Sequence, residues 1–272
     1  MNKIMLALAL LVICGVAHGE GNDASTVLLL HFDEYPFTDS SSRSHTIDVY
    51  QDSVLMRSTS MWGNSAYYQG SPRGRIWIRG NSADFQFGGE DFTIDLWARI
   101  ESYSASTYFF HYGTTDNSWD LYWNRDTNEI RFWVRNNATY AIKLDSGTGS
   151  YPTYPAAWHH IAAVRHGEEW SLYIDGILKD RETDNVILNP VSASLYMGME
   201  TSGNYWMKGY IDEVRISKGT ARWTDNFDPP TAAYDESSQE AEIPEMSITD
   251  LILIILIVIT GTILITKKKI NP

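Results

Sequence analysis

The sequence predicts an all-β fold, a sandwich of two antiparallel sheets over residues 20–234. Three observations carry this. Apolar residues recur with a period of two: Phe92, Ile94, Leu96, Ala98 and Ile100 alternate with Thr93, Asp95, Trp97 and Arg99. This is the pattern of a strand with one buried face. Turn signals sit between such runs, as where Asp175-Gly176 follows the alternating Trp170, Leu172 and Ile174, a hairpin signature. No long amphipathic helical pattern interrupts the region, so the crossovers that a parallel sheet requires have no place in it.

Taken in order, the chain opens with Lys3, an apolar run from Ile4 to Val16, and Ala17-His18-Gly19. A basic start, a short apolar block and small residues two apart describe a secretory signal peptide over residues 1–19. The run is short for a membrane span. Strand candidates follow at Thr26–Phe32, Arg75–Ile78, Phe92–Ile100, Tyr108–Tyr112 and Trp119–Trp123. Asp126-Thr127-Asn128 then reads as a hairpin turn into Ile130, Phe132 and Val134, which alternate with Arg131, Trp133 and Arg135. Tyr140–Leu144, His159–Arg165, Trp170–Ile174, Ser194–Met199 and Tyr210–Ile216 complete the set. About a dozen short strands over roughly 210 residues indicate one sandwich or jelly roll rather than two domains.

Beyond the sandwich, residues 235–247 are rich in Asp, Glu, Ser, Gln and Ala, the composition of a solvated stalk. Ile248–Thr266 is apolar apart from polar residues such as Asp250 near its outer end, and Lys267-Lys268-Lys269 follows it. Nineteen residues at about 1.5 Å each cover about 28 Å, close to a hydrocarbon core of roughly 30 Å. The lysines are a positive-inside signal. One C-terminal transmembrane helix over 248–266 and a basic cytoplasmic tail over 267–272 are therefore expected, with the sandwich outside the cell. Pro244-Glu245-Met246 before the apolar run also resembles the C-terminal sorting signals of some prokaryotic surface proteins, in which case the tail would be processed.

Composition narrows the function. The chain has 272 residues, 21 Lys+Arg against 34 Asp+Glu, and a formal net charge of −13. Without Lys3, Lys267, Lys268 and Lys269 the basic residues fall to 17; without Asp250 the acids fall to 33, so residues 20–249 carry −16. Nucleic acid is excluded as a partner, because phosphate binding needs a basic footprint. The global charge favours neutral ligands, or ligands bridged by a cation. The single cysteine, Cys14, leaves with the signal peptide, so neither a disulfide framework nor a multi-cysteine zinc site is available.

Several phrases then line up with one superfamily. They are Val27-Leu28-Leu29-Leu30-His31-Phe32-Asp33, Phe37-Thr38-Asp39-Ser40-Ser41, Phe92-Thr93-Ile94-Asp95-Leu96-Trp97 and Trp158-His159-His160-Ile161-Ala162. Leu172-Tyr173-Ile174-Asp175-Gly176 and Gly209-Tyr210-Ile211-Asp212-Glu213-Val214-Arg215-Ile216 follow, then Lys218-Gly219-Thr220-Ala221-Arg222-Trp223 and Phe227-Asp228-Pro229-Pro230. In this order they resemble the laminin-G-like jelly roll of the concanavalin A-like lectin/glucanase superfamily. The resemblance implies two packed sheets, one of them concave, and a role in binding glycans or other extracellular ligands. Calcium is the cofactor that it implies, held at the sandwich rim by acids of the first and last strands. Asp33, Asp39 and Asp212 occupy those phrases. Asp212, sharing a face with Val214 and Ile216, is expected to point inward, where an unpaired carboxylate would be costly. An arginine or backbone donors would satisfy it equally well.

The superfamily also contains glycoside hydrolases, so catalysis is tested on residues. A retaining glycosidase needs two carboxylates about 5 Å apart, and the hydrolase branch typically shows Glu-x-Asp-x-x-Glu on one strand. Glu182-Thr183-Asp184 has the first spacing, but Ile187 stands in the third place. No enzyme is expected. His159 and His160 face opposite sides of a strand and cannot share a metal; a hydrogen-bonded structural His160 is expected. Asn137-Ala138-Thr139 is a glycosylation sequon.

A sugar site wants aromatic rings beside hydrogen-bonding groups, since sugars present an apolar face rimmed by hydroxyls. Arg131, Trp133 and Arg135 share one strand face, and Asp120, Tyr122 and Asn124 share another on the strand before it. The connecting hairpin makes the two strands pair, so these six residues form the candidate ligand-binding patch. The bland alternative is that the aromatics merely cover the sheet. The sequence thus describes a membrane-anchored, cell-surface binding module for an extracellular glycan or a surface protein. A structural or protein-adhesion module without a sugar site is the alternative, and a glycoside hydrolase comes third.

Overall fold

Fifteen strands, paired throughout in antiparallel fashion, make up two facing sheets in the computed structural model, which describes residues 21–50, 54–69, 74–80, 82–101, 106–151, 157–199 and 205–234. The expected signal peptide (1–19), stalk (235–247), membrane helix (248–266) and basic tail (267–272) lie outside the described residues. Among the described residues no helix is long and apolar enough to cross a membrane.

In chain order the strands are β1 (Thr26–Leu30), β2 (Thr46–Val49), β3 (Val54–Arg57), β4 (Ser65–Gln69), β5 (Ile76–Arg79), β6 (Phe92–Ile100), β7 (Thr107–Gly113) and β8 (Ser118–Asn124). They continue as β9 (Glu129–Asn136), β10 (Thr139–Asp145), β11 (His159–His166), β12 (Glu169–Ile174), β13 (Ile177–Thr183), β14 (Leu195–Met197) and β15 (Lys208–Lys218). The strands expected from alternation are present. Those not anticipated are β2, β3, β4 and β13, the first three being short runs of four or five residues.

One sheet runs β13-β12-β11-β6-β15-β4-β3, with β1 pairing the far part of β15; the other runs β10-β9-β8-β7-β14-β5-β2. Hairpins built on left-handed turn residues fix the register: Asp175 and Gly176 (φ 52° and 71°) join β12 to β13, and Asn137 and Ala138 (φ 52° and 60°) join β9 to β10. Two consecutive positive-φ residues give the turn twist that matches paired strands.

The core lies between the sheets. The first sheet contributes Ile94, Leu96, Ile161, Leu172 and Ile216, and the second Trp119, Leu121, Phe132, Val134 and Leu195, all buried. Each such side chain is worth about 1.5–3 kcal/mol of burial. The buried Trp119 indole keeps a polar partner, donating to the Phe85 carbonyl at 3.0 Å.

The outer faces of the two sheets differ. On the eight-stranded sheet, Asp95, His160 and Arg215 face outward yet are fully buried, because Trp223, Phe227 and Tyr234 cover them. Arg215 meets Asp95 at 3.1 Å, His160 meets the Tyr234 hydroxyl at 3.2 Å, and that hydroxyl also bonds Asp95. His160 is thus a hydrogen-bonded buried histidine, as expected. His159, on the opposite face, pairs with Asp175 at 2.7 Å.

One orientation is corrected. The ladder between β15 and β6 pairs Asp212 with Trp97 and Arg215 with Asp95, with an irregularity between them and Glu213 in the left-handed region (φ 44°). This bulge inserts an extra residue and resets the alternation. Asp212 therefore shares the outer face with Arg215, not the inner face with Val214 and Ile216.

Candidate functional site

The outer face of the seven-stranded sheet has no such covering segment among the described residues, and a cleft of about 170 Å³ opens on it. Register places its residues. Tight alternation on β8 buries Trp119, Leu121 and Trp123, which turns Asp120 and Tyr122 outward. On β9 the same logic turns out Arg131, Trp133 and Arg135, and Asp120 pairs directly with Trp133, Tyr122 with Arg131. Asp120, Tyr122, Trp133 and Arg135 line the cleft together.

Two expected members are used elsewhere. The Asn124 amide oxygen accepts from the Asp126 and Thr127 amides at 3.0 and 3.1 Å and from the Thr127 hydroxyl; it caps the β8–β9 turn. Arg131 lies beside the cleft, with Glu129 at 2.5 Å and Asp145 at 3.2 Å. Burial lowers its pKa, but Tyr122 and Glu129 raise it further, so it stays a cation. Its guanidinium lies 4.8 Å from the centre of the Trp133 ring.

Bulges bring in residues that alternation alone assigns to the core. A register shift between Tyr108 and Phe110 sets Tyr108 opposite Tyr122 and His111 opposite Asp120. A second shift between Tyr140 and Ile142 sets Tyr140 opposite Arg135 and Lys143 opposite Trp133. Strict period two would leave Tyr140 facing inward with Ile142 and Leu144. Tyr108, His111 and Tyr140 complete the cleft wall.

The aromatic rings form a connected file. Tyr122 stacks on Tyr108 at 4.8 Å and meets Trp133 edge-on at 5.6 Å, and Trp133 meets Tyr140 at 4.8 Å. Tyr108 continues to the exposed Tyr205 at 5.9 Å. The Trp133 indole donates to Asp145 at 2.8 Å. Cations are interleaved with the rings: Lys143 lies 5.1 Å from Trp133 and 4.5 Å from Tyr140, and Arg135 lies 4.5 Å from Tyr140. Burial pushes the Tyr122 phenol up, so it stays neutral and hydrogen-bonding. His111 Nδ1 meets Asp120 Oδ1 at 2.5 Å, and the Ser118 hydroxyl donates to the other Asp120 oxygen at 3.1 Å.

The three acids proposed for calcium do not converge. Asp39 Oδ1 accepts from the Leu29 and Ser41 amides at 3.0 and 2.9 Å. Its Oδ2 accepts from the Ser41 hydroxyl, the His45 amide and His45 Nδ1 at 2.8–3.0 Å. Both oxygens are spent, and Asp39 closes the loop after β1. Asp212 accepts from the Met61, Trp62 and Glu213 amides at 2.8, 3.2 and 2.9 Å. Burial, reinforced by the neighbouring Glu213 charge, lifts its pKa to about 8 against the pull of those amides. Asp33 accepts from the Asn64 amide at 2.6 Å and lines a separate rim cleft with His31, Glu34 and Thr38. Among the described residues no group of three or more His, Cys, Asp or Glu is arranged to hold a metal ion. A calcium ion drawing on all three does not fit these residues.

Two antiparallel sheets packed face to face, with an aromatic and polar cleft on one outer face, define a jelly-roll domain. Residues 75–225 match the laminin-G-like model of the concanavalin A-like lectin/glucanases superfamily, and the chain belongs to that superfamily. Similar solved structures include the receptor-binding domain of botulinum neurotoxin type G (15% identity, TM-score 0.55, covering 73% of this chain and 49% of that one). The binding domain of paraclostridial mosquitocidal protein 1 is similar at 15% identity and TM-score 0.57, over 73% of this chain and 50% of that one. A botulinum neurotoxin DC binding domain, solved in complex with rat synaptotagmin II, is similar at 16% identity and TM-score 0.56, over 73% and 49%. At these identities the likeness is one of fold, and the chain spans about half the length of those domains. No curated protein matches the sequence.

Proposed function

We propose that the chain is a cell-surface binding module that recognises carbohydrate through the cleft on the seven-stranded sheet. One observation carries this reading: a connected file of four rings, Tyr108, Tyr122, Trp133 and Tyr140, lies beside converging polar groups of His111, Asp120 and Arg135. Ring edges and faces suit the apolar side of a sugar, and the polar groups suit its hydroxyls. Of the acids, Asp120 alone is in the cleft lining, whereas a glycosidase needs two facing carboxylates; this supports binding without turnover. Attachment to the membrane, with the jelly roll outside, rests on the sequences of residues 1–19 and 248–266.

The test is a glycan array with the Trp133→Ala/Tyr122→Ala double variant, checked for folding by circular dichroism and thermal melting. Binding by the wild type that is lost in the folded double variant supports the site. Undiminished binding in that variant removes it. Protein adhesion is the second reading, favoured by the side chains of Tyr35 and Ile187, which are 57% and 67% exposed. It predicts no sugar binding and a loss of cell adhesion on Ile187→Asp.

A further inference from the structure

We infer that the cleft selects an acidic saccharide, with a carboxylate or sulfate seated at Arg135 and Lys143 and a ring hydroxyl or other polar atom on His111 Nε2. This rests on the carbohydrate reading and deepens it.

The first observation concerns the cations. Arg135 is held by neutral acceptors only: one Nη donates to the Thr115 carbonyl at 3.0 Å, the other to the Tyr140 hydroxyl at 2.7 Å. Lys143 Nζ lies over the Trp133 and Tyr140 rings. Among the described residues neither cation is in an ion pair, whereas Arg131, on the same face of β9, has both Glu129 and Asp145. The contacts of Arg135 and Lys143 orient the two charges without neutralising them. In a chain with 34 acids for 21 bases, carboxylates are plentiful, and one of them, Glu182, accepts from the Lys143 backbone amide at 3.1 Å. The side chains of the two cations on the Tyr140 ring nevertheless pair with none, which leaves this patch locally positive. Such an arrangement favours an anionic group that brings its own charge, and an arginine fork suits the paired oxygens of a carboxylate or sulfate.

The second observation is independent. The His111 side chain is only 9% exposed, it lines the same cleft, and its Nε2 is buried with no hydrogen-bond partner among the described residues. Buried polar nitrogens in folded proteins are generally satisfied, and among those here that are not, His111 Nε2 is the one whose residue lines this cleft. Asp120 engages Nδ1 and so fixes the ring. With Nδ1 donating its proton to Asp120, Nε2 presents a lone pair to a ligand hydroxyl; with both nitrogens protonated, Nε2 donates to a ligand oxygen. Either state asks for a polar ligand atom at that depth. Asp120, the one acid in the lining, is already engaged by His111 and Ser118, so its charge is partly spent where the anion would sit.

The overall charge of −13 argues for neutral glycans, and here the local arrangement outweighs it. Exposed charges more than about 8 Å away are screened at physiological salt, while Arg135 and Lys143 act at contact distance.

The experiment is calorimetric titration of the full chain in mild detergent with three matched tetrasaccharides: a neutral one, its uronic-acid counterpart and its sulfated counterpart. At least one acidic form is expected to bind about tenfold tighter than the neutral one, with an affinity that falls as salt rises. Which acidic form binds better identifies the anion. Arg135→Gln/Lys143→Gln is expected to bring the acidic and neutral affinities to the same value, and His111→Phe to weaken both. Equal binding of neutral and acidic forms, or a preference that survives the folded double variant, overturns the proposal alone. Absence of binding to all three and to a broad glycan array overturns the carbohydrate reading and this proposal with it.

Discussion

Arg215 and Asp95 meet in a two-pronged contact, Nε to Oδ1 at 3.1 Å and Nη2 to Oδ2 at 3.2 Å, with both side chains fully buried. Burial alone would raise the pKa of Asp95, but the Arg215 guanidinium, helped by His160 and Tyr234, holds it at about 2. Removing the guanidinium leaves a carboxylate uncompensated under the Trp223 and Tyr234 rings. Arg215→Met is therefore expected to cost about 3–5 kcal/mol, read by urea unfolding at pH 7. The pH sign follows from a folded pKa below the unfolded one: the Asp95 contribution is present above about pH 4 and is lost as pH falls towards 2. A loss below about 1 kcal/mol would mean that the pair does not hold the covering segment.

Asp212 behaves in the opposite sense. Its pKa is lifted to about 8, first by burial and then by the Glu213 charge, so folding favours the protonated form. Its contribution is full below the unfolded value near 4 and is lost as pH rises through 8. Melting temperature should thus decline between pH 5 and 8, beyond what other groups explain, and Asp212→Asn should flatten that decline. A variant with the same slope as the wild type would show that the Met61, Trp62 and Glu213 amides keep Asp212 ionised.

The β12–β13 hairpin is docked against the chain that follows β15. Gly176 has φ 71°, and a Cβ there would stand 1.8 Å from the Phe227 carbonyl oxygen, whose own amide donates to the Gly176 carbonyl at 2.9 Å. Gly167 also has positive φ, 61°, but open space around it. Backbone strain alone predicts about 1–3 kcal/mol for alanine at either position. Gly176→Ala should exceed Gly167→Ala, because it also displaces Phe227 from its 4.0 Å stack on Trp223. Equal losses in thermal melts would remove the docking account.

Both what sequence made legible and what it hid have a physical cause. Alternation at Glu129–Asn136 reveals a strand because one face is buried and the other is not. At Phe92–Ile100 both faces are buried, and the pattern shows because the covered outer face carries the polar Thr93 and Asp95. Alternation also reveals Asp120, Tyr122, Trp133 and Arg135, since they lie on unbroken stretches of β8 and β9. It fails at the bulges of β7, β10 and β15, where one extra residue flips the side chains beyond it. Tyr140 and Tyr108 are hidden from the site in this way, and Asp212 is given the wrong face. Nothing in the residue types near Tyr140 announces a bulge. The short strands β2, β3 and β4 are hidden for another reason, since four or five residues carry too little pattern. The use of Asn124 and Asp39 as turn and loop caps was readable in principle. Asn124 precedes the turn Asp126-Thr127-Asn128, and side chains of this type commonly bond the amides two or three residues on.

The His111–Asp120 pair gives the last prediction. Asp120 lies on the outer face with its side chain 13% exposed; it holds the imidazole ring and accepts from the Ser118 hydroxyl. Asp120→Asn keeps an oxygen that can accept from Nδ1, provided that the amide orients suitably, while removing the charge. Asp120→Ala removes both and frees the ring to turn. If an oriented Nε2 contributes to ligand binding, affinity should fall in the order wild type, Asp120→Asn, Asp120→Ala. The alanine variant should lose about tenfold, the size of one hydrogen bond to a charged or oriented partner. Its melting temperature should move by several degrees, as expected for the loss of the His111 and Ser118 hydrogen bonds at about 1 kcal/mol each. Affinity measured by calorimetry and stability by thermal melting separate the two effects. Unaltered affinity in Asp120→Ala would show that the imidazole needs no carboxylate to present Nε2 to the ligand, and would leave Arg135 and the rings as the binding elements.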